Sequence, residues 1–373
     1  MSLSLIDLRE SALLAPYAFY SRDSSGRAYS EPEHAYRGPF QRDRDRIVHS
    51  AAFRRLNGKM QVFTGAMGDY HRTRLTHTME VASIARTIGR TLRLNEDLIE
   101  ALALLHDIGH PPFGHAGEDT LAELLEAEGG FSHNRFALTL VREIEHPYPI
   151  FPGLNLTYEV LESQDTRADK QHSSPLLEAQ VVDAADSITY DAHDVDDAVK
   201  LKLITLDELG QLPLIARCLD RVEQKHLASG AKLTADFLRK SLVHELIEVQ
   251  VSDLVQRSQQ ILLSPACTNA QEAKEAGIRL THNSDMQTEK SKLEAFLYQR
   301  VYRHPDIVRV RLKAQNRLRE LFQAYCDDPG LLPAHFRVRI DKIGLRQTAG
   351  DYIAGMTDHY CLEQSNRLSG KTP

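Results

Sequence analysis

The sequence predicts an all-α protein. Apolar residues recur three and four positions apart through most of its 373 residues, the period of a helix with one buried face. Proline and glycine gather between these stretches, where the chain must turn. Only "KLITL" (Lys202–Leu206) and "FRVRI" (Phe336–Ile340) carry a strand-like pattern, too little for a sheet.

Residues 1–36 are polar and rich in Ser, Gly and Pro, which predicts an irregular N-terminal arm. From Arg42 the helical period begins, with Ile47, Ala51 and Leu56 on one face. Thr76 is placed to cap a helix holding Met79, Val81, Ile84 and Ile88. Asn95 caps the next, whose buried face is Leu98, Ala101, Leu102 and Leu105. Pro111 and Pro112 must follow that helix, because the ring blocks its continuation. Another helix runs from near Ala116 through Leu125 until "EGGF" turns the chain.

"EHPYPIFPGLNL" (Glu145–Leu156) reads as a loop, and charged residues with Ser and Gln fill 162–174. Helical pattern returns at Pro175 and passes Asp194. It recurs at Phe237–Ile247, at Leu293–Val301 and at Val308–Phe322, and the last helix falls near Tyr352–Tyr360. The expected organisation is an arm (1–36), a core (37–205) and a helical C-terminal region packed on it (206–373).

Composition narrows the function. An apolar fraction of 42% supports a buried core, and no apolar run is long enough to cross a bilayer. The start "MSLSLIDLRE" carries Asp7 and Glu10 where a secretory signal would be basic, then apolar. Cys218, Cys267, Cys326 and Cys361 are scattered without a CxxC pair, which indicates neither a zinc knuckle nor a disulfide framework. A cytoplasmic protein is expected. The net charge of −7 argues against a whole-surface grip on nucleic acid. The Arg-rich run Tyr36–Leu56 could face phosphates, but Asp43 and Asp45 are at hand to pair with neighbouring Arg.

The chemistry gathers in "RTRLTHTMEV" (Arg72–Val81) and "ALALLHDIGHPPFGHAGED" (Ala101–Asp119). These hold His77, His106, His110 and His115, four of the 17 His. Taken singly, each is more often a satisfied structural histidine. Together they suggest a site. His106 and Asp107 are adjacent and diverge in mid-helix, but near a terminus both can reach one ion. Imidazole plus carboxylate suits Mn, Fe, Co, Ni or Zn. In "VVDAADSITYDAHD" (Val181–Asp194), Asp186, Tyr190 and Asp194 share a face at intervals of four. A solvated helix carries carboxylates equally well, so spacing alone does not choose among its Asp residues. Glu118, three positions after His115, can orient that ring and support proton transfer.

These motifs, with "HSAAFRRLNGKMQVF" and "PGLNLTYEV", resemble the HD-domain phosphohydrolases and, more closely, the deoxyguanosine-triphosphate triphosphohydrolase family, over roughly residues 36–360. The resemblance implies an irregular multi-helix HD-domain fold with additional C-terminal helices. It implies a divalent metal, Mn or Mg first, on His77, His106, Asp107 and Asp186. It implies His115, Glu118 and His110 as the catalytic group, and Arg74, His133, Tyr190 and Asp194 as substrate contacts. The implied reaction cleaves dGTP or several deoxynucleoside triphosphates to deoxynucleoside and tripolyphosphate. Implied partners are deoxynucleoside triphosphates and copies of the same chain, in assemblies up to a hexamer, with single-stranded DNA or an allosteric nucleotide as further ligands and no membrane. Some relatives place a phosphate-reaching lysine after the last metal-binding Asp, where this chain has Ser187. The alternatives are another HD-type reaction (a 5′-monophosphatase or cyclic-nucleotide phosphodiesterase) and a regulatory or single-stranded nucleic-acid-binding protein.

Overall fold

The computed structural model describes residues 4–61, 72–169, 174–229, 234–263 and 267–368. Among these there is no strand, only two isolated bridges, Arg27 with Thr157 and Met60 with Thr73. The two strand-like stretches form none. Lys202–Thr205 is the turn that leaves a long helix, and Phe336–Ile340 spans the end of one short helix and the start of another. Neither has a neighbouring strand to pair with, and helical packing overrides local propensity.

The arm is not irregular throughout. It contains α1 (Leu5–Leu13), capped by Ser4 in a reciprocal box with Asp7. It is held by buried carboxylates: Glu10 accepts from Ser21 N–H at 2.7 Å, and Glu178 accepts from Phe19 N–H at 2.9 Å. Next come α2 (Pro39–His49) and α3 (Ala51–Arg55), separated at Ser50, whose hydroxyl caps α3. Asp45 pairs with its neighbours Arg44 and Arg37, but Asp43 pairs with Arg27 of the arm. Arg42, Arg46 and Arg55 also have carboxylate partners, so most of the Arg-rich run is committed internally.

α4 (Arg74–Thr91) starts one turn earlier than expected, with Thr73 rather than Thr76 as its cap. Asn95 caps α5 (Glu96–Leu105), as its position predicted. α5 buries Leu98, Ile99 and every residue from Ala101 to Leu105, so it is apolar nearly all round and lies at the centre, against α2, α4 and α9 (Leu177–Lys200). Each fully buried Leu or Ile there contributes about 1.5–3 kcal/mol. α6 (His115–Leu124), α7 (His133–Thr139) and α8 (Tyr158–Ala168) follow, with α8 packed on both α5 and α7. α8 occupies part of the stretch read as polar filler, because Val160 and Leu161 face the core.

After α10 (Leu206–Leu209), the helices α11 (Pro213–Ser229), α12 (Ala235–Leu263), α13 (Ala270–Glu275) and α14 (Ser284–Leu297) follow. A second apolar cluster joins the far end of α9 to α11, α12 and α14 through Val195, Ile215, Leu246 and Leu293. α15 (Pro305–Asp327), α16 (Ala334–Arg337), α17 (Ile340–Ile343), α18 (Leu345–Ala354) and α19 (Asp358–Leu368) return to the main core. The single last helix expected near Tyr352–Tyr360 is two, parted at Gly355. No helix among the described residues is long and apolar enough to cross a membrane.

Candidate functional site

Helix ends build the site. α5 stops at Leu105, and His106 caps it, so His106 and Asp107 sit where the backbone leaves helical geometry. The first turn of α4 brings Arg74 and His77, and the middle of α9 brings Asp186 and Tyr190. The turn after the prolines uses Gly114 at φ 56°, a conformation that side-chain-bearing residues rarely adopt, to start α6 at His115. Gly109 has a different role. A Cβ there would lie 2.1 Å from the His133 carbonyl oxygen, so only glycine lets this loop rest on α7. The rings of His110 and His133 consequently stack with centroids 3.8 Å apart.

Ligand atoms of His77, His106 and Asp186 all lie within 4.8 Å of one another. His77 Nε2 is 3.0 Å and His106 Nε2 3.7 Å from Asp186 Oδ1. Asp107 stands beside this group rather than within it. Its Oδ1 is 3.6 Å from His106 Nε2 and 2.9 Å from His110 Nδ1, and its Oδ2 accepts from Arg74 at 2.8 Å. Burial alone would raise Asp107, but His110 and Arg74 hold it well below the usual carboxylate range. Asp186 is lowered in the same way against its burial, by His106 and His77.

The donor set fits a divalent cation. His106 Nδ1 donates to the Ala103 carbonyl at 2.6 Å, and burial lowers its pKa, so the neutral ring carries its proton there. Nε2 is then a bare lone pair, buried and without a hydrogen-bond partner, between two carboxylates. A cation satisfies that arrangement.

Beside the group opens a cavity of about 540 Å³, a size suited to a small-molecule ligand. Arg74, His110, His115, His133 and Tyr190 line it, as does His106 with both aspartates. Arg74 does not sit on the rim. It is 1% exposed and paired with Asp107. Glu118 does not serve His115 alone. Its Oε1 accepts from His133 Nδ1 at 2.7 Å, while His115 Nδ1 is 3.6 Å from Oε2. Despite burial, these rings keep Glu118 far below the usual carboxylate range.

Asp194 does not line the cavity. It is 1% exposed, and Tyr302, just after α14, sets its hydroxyl against both Asp194 Oδ2 and the Tyr190 hydroxyl. Burial raises Asp194 well above its ordinary value.

Several residues here gave no sequence signal. Arg167, in the last turn of α8, contacts Asp183 at 2.6 Å and Asp186 at 3.3 Å and faces the cavity. Arg279 also lines it, exposed and with no carboxylate partner among the described residues. Lys290 reaches the Ser187 carbonyl but is committed to buried Asp191. His193 abuts His77, and burial pushes it down to about 4, so its ring is neutral near pH 7. Each of these contacts joins segments far apart in sequence, where spacing carries no information.

Comparison with known proteins adds lineage. The HD domain profile matches residues 74–191, and the phosphohydrolase-associated domain profile matches 280–367. A deoxyguanosinetriphosphate triphosphohydrolase-like protein of Brucella ovis is 40% identical over 395 residues, covering 96% of each chain. Proteins of the same description from Geobacter sulfurreducens (40%, again 96% of each chain) and Ralstonia nicotianae (38%, 95% of this chain and 94% of the relative) also match.

Proposed function

The chain belongs to the deoxyguanosinetriphosphate triphosphohydrolase-like family of HD-domain phosphohydrolases, and from that premise we propose that its cavity hydrolyses deoxynucleoside triphosphates to deoxynucleoside and tripolyphosphate. The observation that carries this reading is the union, in one cavity, of a candidate cation-binding group with guanidinium and imidazole side chains. Such a wall suits a polyphosphate beside a Lewis acid.

His77, His106 and Asp186 would hold the divalent ion, with the near oxygen of Asp107 beside them. Once bound, the ion would polarise the α-phosphate and lower the pKa of water. The protein supplies the rest. Arg74, fixed by Asp107, presents its guanidinium from the buried side, and Arg279 reaches from the open side. Together they offset the cationic group lacking at Ser187. His115 is the exposed imidazole at the mouth, oriented by Glu118. Water's oxygen bonds to the α-phosphorus as the bond from phosphorus to O5′ breaks, O5′ leaves with a proton from His115, and the proton that the water sheds passes to solvent, which returns the ring to its starting state. His110, stacked on His133 and pinned beside Asp107, fixes the floor on which the phosphate rests. Tyr190, one turn along α9 from Asp186, gives the cavity wall an aromatic face with a hydroxyl that burial keeps protonated.

The test is turnover of each deoxynucleoside triphosphate with Mn²⁺ or Mg²⁺, analysed for tripolyphosphate, pyrophosphate and orthophosphate. Tripolyphosphate with free deoxynucleoside supports the reading. Orthophosphate from a monophosphate, with triphosphates untouched, would replace it with a monophosphatase.

A further inference from the structure

We propose that Glu80 and His193 form a positioning relay that fixes the ring of His77 for a bound cation; the inference rests on the metal reading above. His77 is held from both sides. Its Nε2 faces Asp186 Oδ1 at 3.0 Å, and its Nδ1 faces His193 Nδ1 at 3.3 Å, with the two rings 69° apart in plane. The far nitrogen of His193, Nε2, abuts Glu80 Oε2.

Proton accounting gives this chain one direction. A carboxylate only accepts, so His193 Nε2 carries a hydrogen and donates it to Glu80. In the neutral ring, His193 Nδ1 is then bare and accepts, so His77 Nδ1 carries the hydrogen between them. With Nδ1 engaged by His193, Nε2 is the His77 nitrogen left to face the Asp186 carboxylate. At 3.0 Å from Asp186 Oδ1, this nitrogen can share a proton with the carboxylate or, in place of that proton, a bound cation. His106 is fixed in the same way by donating to Ala103, so two independent devices aim imidazole nitrogens at one carboxylate.

Helix packing explains the placement. His77 and Glu80 are three apart on α4, and Asp186 and His193 are two turns apart on α9, so each pair shares a face. The two helices pack together and grip the ring from opposite ends. His193 is 1% exposed, whereas the Glu80 side chain is 48% exposed. Glu80 therefore anchors the relay from the surface, where substitution opens no core.

The test is Mn²⁺ affinity by calorimetry and by electron paramagnetic resonance, on wild type and on Glu80→Ala, Glu80→Gln, His193→Phe and His106→Ala. Loss of a group that orients a ligating imidazole weakens metal binding by roughly 10–100-fold. Glu80→Ala should show a loss in that range, with the metal-free protein melting as wild type. Glu80→Gln should recover part of it, because the amide oxygen still accepts. His193→Phe should bind at least as weakly as Glu80→Ala, and a Co²⁺-loaded sample of either should show an altered visible spectrum. Wild-type affinity in Glu80→Ala, alongside lost binding in His106→Ala, would overturn the relay and leave the metal reading standing. Absence of binding in folded wild type would overturn both.

Discussion

Glu118 accepts a 2.7 Å hydrogen bond from His133, fifteen positions along the chain. The same carboxylate also meets His115, one helical turn away, so a single acid orients two imidazoles at the cavity mouth. Removing it should disturb both. A positioned acid–base group contributes about 10²–10⁴-fold in rate. His115→Ala should lose turnover in that range while keeping bound metal. Glu118→Ala should lose at least as much, and adding His115→Ala to it should cost less than the sum, because the two act as one unit. Turnover at measured metal occupancy checks this. Normal turnover in Glu118→Ala would remove the shared acid from the account.

Arg74 and Arg279 approach the cavity differently, and their substitutions should separate. Arg74 is buried against buried Asp107. Removing one partner of a buried pair costs about 3–5 kcal/mol, so Arg74→Ala should lower the melting temperature as well as activity. Arg279 is exposed and lacks a carboxylate partner among the described residues, so Arg279→Ala should leave the melting temperature unchanged. A lost charge-assisted contact is worth about 1.5–3 kcal/mol, which raises KM roughly 10-fold or more. Thermal melts and KM on both variants test the contrast. An unchanged KM would take Arg279 out of phosphate binding.

Lys59 ties the site loop to the C-terminal helices, donating to the carbonyls of His110 at 2.5 Å and Ala354 at 3.0 Å. Burial, with Arg55 nearby, pushes its ammonium down to about 7. In the unfolded chain a lysine titrates near 10.4, so between those values the unfolded state holds a proton that the folded state does not. Stability therefore gains from this group as pH rises from about 7 toward 10, and that gain is absent below 7. Urea midpoints across that range should rise in wild type relative to Lys59→Met. Parallel curves would show that the ammonium keeps its proton.

What the sequence made legible follows the reach of local rules. Periodicity and proline placement gave the helical class, and Asn95 announced α5 because a cap acts within one turn. His77, His106 and Asp186 come together, but spacing alone could not select Asp186 over Asp183 or Asp191 on the same helix. Thr73 and Thr76 carry the same capping chemistry one turn apart, so the sequence does not decide between them, and Thr73 is the cap. "FRVRI" looked like a strand because alternation over five residues cannot report the absence of a partner strand. Arg167, His193 and Tyr302 stayed hidden, since each acts on a residue from another helix. For the same reason the sequence does not reveal that Asp194 is buried against the Tyr302 hydroxyl.

In the proposed reaction, water attacks the α-phosphorus and tripolyphosphate leaves intact. Hydrolysis of dGTP with Mn²⁺ in ¹⁸O-labelled water, followed by mass analysis of both products, tests it most directly. The expected result is one deoxynucleoside per tripolyphosphate, with the label in tripolyphosphate and none in the 5′-hydroxyl, and no products from His106→Ala. Labelled orthophosphate or pyrophosphate with a nucleotide as co-product would contradict it.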